Sequence, residues 1–281
     1  MRKFDVSKIA DALREMAVDV NRNLSEGQVD ALKYALARET SPLGKQIIRR
    51  IIDNAASARD SKLPVCQDTG TAVVFIDIGQ EVQLVGGSLR EAVDGATAAA
   101  YRDGLLRMSV VGDPLERENT GTNAPAVLHT RVVPGDRVTL SFMAKGAGCE
   151  NMSRMKMLRP SDGEEGIIDF VVETVVESDG GACPPLVLGI GLGGDFEQVA
   201  ILAKRALLRH PLGAPGEPGH IAALEKKILD AVNATGIGPM GMGGGVTALA
   251  AHIEAAPTHI ASLPVAVNLD CHAHRARTAV L

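Results

Sequence analysis

Tryptophan is absent from this 281-residue chain, and all aromatic residues together make up 2% of it. Basic residues such as Arg49, Arg50, Arg154, Lys156 and Arg159 are scattered among acids with no aromatic stacking platform beside them. With a formal net charge of only −5, these features argue against nucleic acid as a partner. No apolar run is long and clean enough to span a bilayer. Met1-Arg2-Lys3-Phe4-Asp5 leads straight into an amphipathic pattern with no targeting signal. The expectation is a soluble, cytoplasmic protein with no membrane partner. Cysteine is also scarce: Cys66, Cys149, Cys183 and Cys271 are far apart in sequence. A disulfide framework therefore fits poorly in a reducing compartment. Spacing alone leaves two readings of them open, as small buried apolar residues or as ligands of a metal or cluster.

Hydrophobic residues at 46% and charged residues at 22% are enough for an ordered core in a chain of this length. Ile9, Leu13, Met16 and Val20 follow helical spacing. Ser25 with Gln28 has the form of a capping box opening a second helix, with Val29, Leu32 and Leu36 on one face. Ser41-Pro42 reads as an N-cap with proline at the first helical position, followed by the stripe Ile47, Ile48, Ile51, Ile52 and Ala55. Beyond Ser61 the texture changes. Strands are expected at 71–78, at 126–133 and 137–143 around the turn Pro134-Gly135-Asp136, at 186–190, at 246–253 and at 264–268. Helices are expected at 88–101, 196–208 and 221–232, with a loop at 210–216. Residues 166–176 fit either a helix or a strand. The fold class is α+β (mixed α/β): one domain spanning 1–281, with a helical region over 1–60 and a mixed α/β body over 61–281.

Thirty glycines gather beside polar residues in loops, notably 64–70, 119–123 and 145–151, where sites are often built. Gly189, Gly191 and Gly194 match G-x-G-x-x-G between a strand and a helix. The acidic residue that should follow about 20 positions on is missing, so a dinucleotide-dependent oxidoreductase stays a minor alternative. The glycines otherwise provide close backbone approach or an anion-binding helix N-terminus. Cys271-His272-Ala273-His274 allows a zinc-stapled interaction module, without the second ligand pair that would strengthen it. Arg275 and Arg277 beside it are equally consistent with a solvated basic tail. His129, His210, His220 and His252 read as structural.

Several long motifs occur in order: PVCQDTG at 64–70, LRMSVVGDP at 106–114, RENTGTNAPAVLH at 117–129 and AKGAGCENMS at 144–153. ACPPLVLGIGLGGDFE at 182–197, GIGPMGMGGGVTALA at 236–250 and PTHIASLPVAVNLDCHAHR at 257–275 complete the series. Together, from about Lys3 to Arg277, they resemble the N-terminal half of class I iron–sulfur fumarases and the α subunit of L-tartrate dehydratase. The resemblance implies a [4Fe-4S] cluster held by Cys66, Cys183 and Cys271, with one iron free of protein ligands, and leaves Cys149 as a neighbour or a core residue. It implies a hydro-lyase in which that iron acts as Lewis acid. Gln67, Arg107 and Gly148 would contact a small dicarboxylate substrate, with Asp68 and His259 as catalytic residues. Plainer readings, a surface Arg107 and a His259 that caps a strand end, stand beside these.

In single-chain relatives of this kind a second domain follows, so the resemblance further implies a β subunit that completes the site, in an (αβ)2 assembly. The reaction expected is hydration of fumarate to malate, and the alternative is dehydration of tartrate to oxaloacetate.

Overall fold

The computed structural model describes residues 1–281. In chain order the elements are β1 (Arg2–Asp5), α1 (Val6–Arg22), α2 (Glu26–Arg38), α3 (Pro42–Ser61), β2 (Thr71–Gly79), β3 (Val82–Val85) and α4 (Leu89–Asp103). They continue with β4 (Val127–Val133), β5 (Val138–Lys145), α5 (Ala147–Asn151), β6 (Arg154–Leu158), α6 (Gly163–Ser178) and β7 (Leu186–Gly194). The last are α7 (Gln198–Ala206), α8 (Gly219–Ala234), β8 (Ala248–Thr258), β9 (Leu263–Asp270) and β10 (Ala276–Val280). The mixed α+β class is as expected. No helix is long and apolar enough to cross a membrane.

The chain divides into two compact units. One comprises Met1–Leu24, Ser57–Ala147 and Arg275–Leu281; the other comprises Ser25–Ala56 and Gly148–His274. The helical stretch 1–60 is thus shared between them, and it also contains β1, which helical spacing does not reveal.

In the first unit a four-stranded sheet runs β10-β5-β2-β4, with β4 parallel to β2 and the other pairs antiparallel. Ile9, Leu13, Met16 and Val20 of α1 join Val93, Ala100 and Tyr101 of α4 over Val74, Ile76, Leu140 and Phe142 in one buried cluster. The helical spacing of α1 is therefore a core-facing stripe. Strands β4 and β5, adjacent in sequence, do not pair as a hairpin: β2 lies between them. The turn at 134–136 passes over the end of β2, where Gly79 N–H donates to the Arg137 carbonyl at 2.8 Å. A Cβ on Gly79 would stand 2.4 Å from the Gly135 oxygen, so only glycine lets the turn close over the strand.

The second unit holds the sheet β6-β9-β7-β8, in which β7 and β8 are parallel. Its two faces separate by strand alternation. Leu188, Ile190, Val265, Val267 and Leu269 pack with Ile167, Phe170 and Val171 of α6 and with Leu224 and Ile228 of α8. Ala266 instead packs on Val199 and Ala203 of α7. The ambiguous stretch 166–176 is helix α6: Ile167, Phe170, Val171, Thr174, Val175 and Ser178 are its buried residues. That is the i, i+3, i+4, i+7 pattern, and burial of it overrides the β-branched preference for strand.

The G-x-G-x-x-G glycines resolve as a packing device. A Cβ on Gly189 would stand 2.2 Å from the Ala203 oxygen, and one on Gly191 would stand 2.0 Å from the Val199 oxygen. All three glycines lie within β7, and two of them let the main chain of α7 pack directly on the strand.

Of the two expected caps, one differs in detail. Ser41 Oγ accepts from Gly44 N–H at 3.2 Å, as an N-cap should. Ser25 Oγ likewise accepts from Gln28 N–H, but the Gln28 side chain does not reach back to complete a capping box. It is buried and donates to the His272 carbonyl at 2.7 Å. Between α2 and α3, the buried Glu39 carboxylate accepts from the N–H groups of Thr40, Ser41, Gly245 and Val246 at 2.7–3.0 Å. Burial pushes the Glu39 carboxyl up, but those four bonds outweigh it and its pKa lies below the ordinary 4.5. A depressed carboxyl stabilises the fold fully above its unfolded pKa and loses that contribution as pH falls through the folded value.

Two outcomes follow from these contacts. Gly191→Ala is expected to lower unfolding free energy in urea by about 3 kcal/mol, whereas Gly95→Ala in α4, where a Cβ meets nothing within 4 Å, should raise it by about 0.5–1 kcal/mol. Glu39→Gln should cost about 2–3 kcal/mol at neutral pH. Urea melts repeated at decreasing pH should show the gap between variant and wild type closing below the ordinary 4.5.

Candidate functional site

In the first unit the loop Cys66–Gly70 is fixed mainly through its main chain. Val65 N–H donates to the Asn21 carbonyl at 2.8 Å. The Asp68 carboxylate accepts from Gly70 N–H at 3.0 Å and from Ala147 N–H at 2.8 Å. Thr69 Oγ1 donates to the Arg107 carbonyl at 2.9 Å, which ties PVCQDTG to LRMSVVGDP. Tyr101, fully buried, points its hydroxyl at the carbonyls of Thr69 (2.8 Å) and Gly70 (2.9 Å). Burial holds that phenol protonated, with its pKa well above the usual range. Asn123 Nδ2 also donates to the Gly70 carbonyl at 3.1 Å. Gly70 itself sits at φ +75°, with the Lys145 main chain 2.8 Å from where a Cβ would lie. Neither strain nor space would tolerate a side chain there.

What this scaffold presents is chemically usable. Cys66 is half-buried, and its Sγ lies 3.6 Å from Gln67 Oε1. The Gln67 and Arg107 side chains are exposed. One loop and one neighbouring strap thus carry a thiol, an amide, a carboxylate and a guanidinium with their main chains pinned together.

In the second unit the motifs of Cys183 and Cys271 meet. His272 N–H points to the Cys183 carbonyl at 3.4 Å, and His272 Nδ1 approaches the same oxygen at 3.0 Å. Cys183 takes φ +55°, uncommon for a residue with a side chain, and its N–H donates to Gly180 O at 3.0 Å. Cys271 directly follows β9 and is half-buried. Cys149 is 4% exposed, packs in the apolar core and donates from Sγ to the Ala182 carbonyl at 3.3 Å. Its sulfur, the Cys271 sulfur and an Asp270 oxygen all lie within 4.8 Å of one another. Asp270 Oδ2 already takes His274 Nδ1 at 2.6 Å, both groups being buried. The Nδ1 atoms of His272 and His274 are so engaged, while His274 Nε2 meets no hydrogen-bond partner.

Gly148 lies exposed in α5, and a Cβ on it would stand 3.3 Å from Gly181 O. His259 is exposed in the turn between β8 and β9, where its Nδ1 accepts from Ala261 N–H at 3.1 Å. The capping role is therefore real. The eight residues of β9 separate this turn from Cys271 by about 25 Å of strand.

Other histidines behave as structural groups. His252 is buried and accepts from Gly213 N–H at 3.0 Å. Burial, helped by the Arg209 charge, lowers its pKa to about 3. His129 stacks on Phe75 with ring centroids 4.7 Å apart.

Sequence reasoning missed Asn21, Tyr101, Asn123 and Arg275. Arg275 is the plainest correction: it is 3% exposed, not a solvated tail, and Ala276–Val280 is strand β10. A signal for Asn21 did exist, since a polar residue four positions after Ala17 continues the buried stripe of α1.

The fumarate hydratase (Fumerase) family model matches residues 10–280. A protein of Methanocaldococcus jannaschii named "Putative L(+)-tartrate dehydratase subunit alpha" is 41% identical over 278 residues, 95% of each chain. The L(+)-tartrate dehydratase subunit alpha of Escherichia coli strain K12 is 33% identical over 279 residues, 97% of this chain and 90% of its own. The protein of the same name from Shigella sonnei has the same identity and coverage.

Tyr101→Phe keeps the ring and removes the donor to two buried carbonyls. It should cost about 1–3 kcal/mol of unfolding free energy, read from urea melts, with secondary structure unchanged by circular dichroism.

Proposed function

Because this chain belongs to the fumarate hydratase (Fumerase) family, we propose that it is the iron–sulfur α subunit of a hydro-lyase acting on a small dicarboxylate, with a β subunit completing the active site. The leading reaction is reversible hydration of fumarate to malate. Dehydration of L-tartrate to oxaloacetate is the second reading, favoured by the names of the relatives.

The cofactor is a [4Fe-4S] cluster held by Cys66, Cys183 and Cys271. The donor set fits: these three thiols are half-buried, no disulfide engages any cysteine, and the fourth, Cys149, is a core residue bonded to Ala182 O. The observation that carries this reading is the junction at Cys183 and His272, which joins two cysteine motifs nearly 90 positions apart (|i−j| = 89). When bound, such a cluster supplies a Lewis-acidic iron to a carboxylate and hydroxyl oxygen of the substrate.

The remaining work falls to this chain's own residues. Arg107, with its main chain held by Thr69, offers a guanidinium fork to a substrate carboxylate. Gln67 adds an amide beside Cys66, and the Gly148 main chain lies open to substrate. Asp68 orders the loop and stands next to the reacting region as a catalytic residue. His259, exposed in the turn before β9, lines the pocket as the second catalytic residue. A base for the carbon-bound proton belongs to the β subunit, and the names "subunit alpha" support such a partner. The assembly proposed is (αβ)2, in the cytoplasm, where reduced thiols persist.

Anaerobic purification with the β partner should yield about four irons and four sulfides per α chain, with broad absorption near ~400 nm. Cys183→Ser should lose most of the iron and abolish activity on fumarate and tartrate alike, while Cys149→Ser keeps part of both. Equal loss from the two changes would sink this choice of ligands. A colourless, iron-free wild-type complex would remove the cluster itself.

A further inference from the structure

Arg275 is a buried cation to which the reaction scheme above gives no role. Its Nη1 donates to the Asp68 carbonyl at 2.6 Å and to Asn21 Oδ1 at 3.0 Å, while Nε meets no acceptor. Asn21 is fully buried, is tied by its own Nδ2 to the Ala17 carbonyl at 2.9 Å, and receives Val65 N–H on its main-chain oxygen at 2.8 Å. The carbonyl of Arg275 accepts from Ala144 N–H at 3.0 Å, continuing the β10–β5 ladder. Gly146 leaves room for the guanidinium: a Cβ there would stand 3.3 Å from Asp68 Oδ2 and 3.4 Å from Arg275 Nη2.

These bonds form a clamp. Asn21 grips the loop at Val65, Arg275 grips it at Asp68, and the two grips are bonded to each other. Only Cys66 and Gln67 lie between them. A buried guanidinium with an unused nitrogen is costly to a fold unless the bonds it does make offset the desolvation. Here both acceptors belong to the loop or its brace, so that cost is set against the position of the loop.

We propose that Arg275 is a positioning residue: acting through the Asp68 carbonyl and Asn21, it sets where the Cys66 thiol and the Gln67 amide stand. It touches no substrate itself. The link to activity rests on the hydro-lyase reading, but the placement of the loop does not. Both bonds leave from Nη1, and a lysine at 275 keeps the charge but ends one bond short of that position.

The test compares wild type with Arg275→Lys by hydrogen exchange on the full chain, and by KM and kcat in the complex with the β partner. Exchange at residues 65–70 should speed about tenfold or more, with β2 and β5 unchanged. KM for fumarate or tartrate should rise about tenfold, with a smaller change in kcat. Unchanged exchange at 65–70, or acceleration spread evenly through the sheet, would overturn the proposal. If Arg275→Lys does not fold, Asn21→Ala decides: it removes the brace and leaves Arg275 in place. The same local acceleration supports the clamp, and its absence overturns it. A wild type without iron or hydro-lyase activity, alongside variants whose exchange still loosens as stated, would defeat the proposed function and leave the positioning role standing.

Discussion

A guanidinium nitrogen of Arg275 reaches the Asp68 carbonyl at 2.6 Å from a position almost without solvent. Around that contact the first unit assembles its chemistry. Asn21 braces the guanidinium, Tyr101 and Asn123 satisfy the carbonyls that follow, and Thr69 carries the restraint on to Arg107. The groups being satisfied are mostly main-chain oxygens, which cost stability when buried without a donor. With the backbone pinned in this way, the Gln67 and Arg107 side chains stay exposed and the Cys66 thiol half-buried.

The second unit solves a comparable problem with a carboxylate. Glu39 gathers four N–H groups from two separate loops, and its preference for the charged state follows from those four donors outweighing burial. Nearby in sequence, Gln28 hands its amide to the His272 carbonyl, and His272 in turn meets Cys183. A chain of side-chain-to-main-chain bonds thus runs from α2 into the loops of both cysteines. Bonds of this type span more than two hundred positions of sequence, which is why single loops here are ordered without disulfides.

Glycine carries two different meanings in the molecule. At Gly70 it permits a left-handed backbone hard against Lys145. At Gly189 and Gly191 it allows a helix to settle onto a strand at main-chain distance. The second use reproduces the spacing of a dinucleotide fingerprint with glycines that lie within strand β7. The missing acidic residue in the sequence points the same way, because both observations concern the same βα unit.

Local periodicity and motif order are legible in the amino-acid sequence by itself. The stripes of α1, α3 and α8, the strands at 71–78 and 186–190, the α+β class, the family and its cysteine motifs all follow from patterns contained within short segments. The short strands β1, β3, β6 and β10 are not legible there, since each is ordered by a partner far away in the chain. Nor can segment patterns tell whether Arg275 is a tail or a core residue, that Cys149 lies beside Cys271, or that β2 separates β4 from β5. Those outcomes depend on which donor meets which acceptor after the chain has folded. Periodicity records which face of an element is buried, and only tertiary structure decides what a buried polar group finds there.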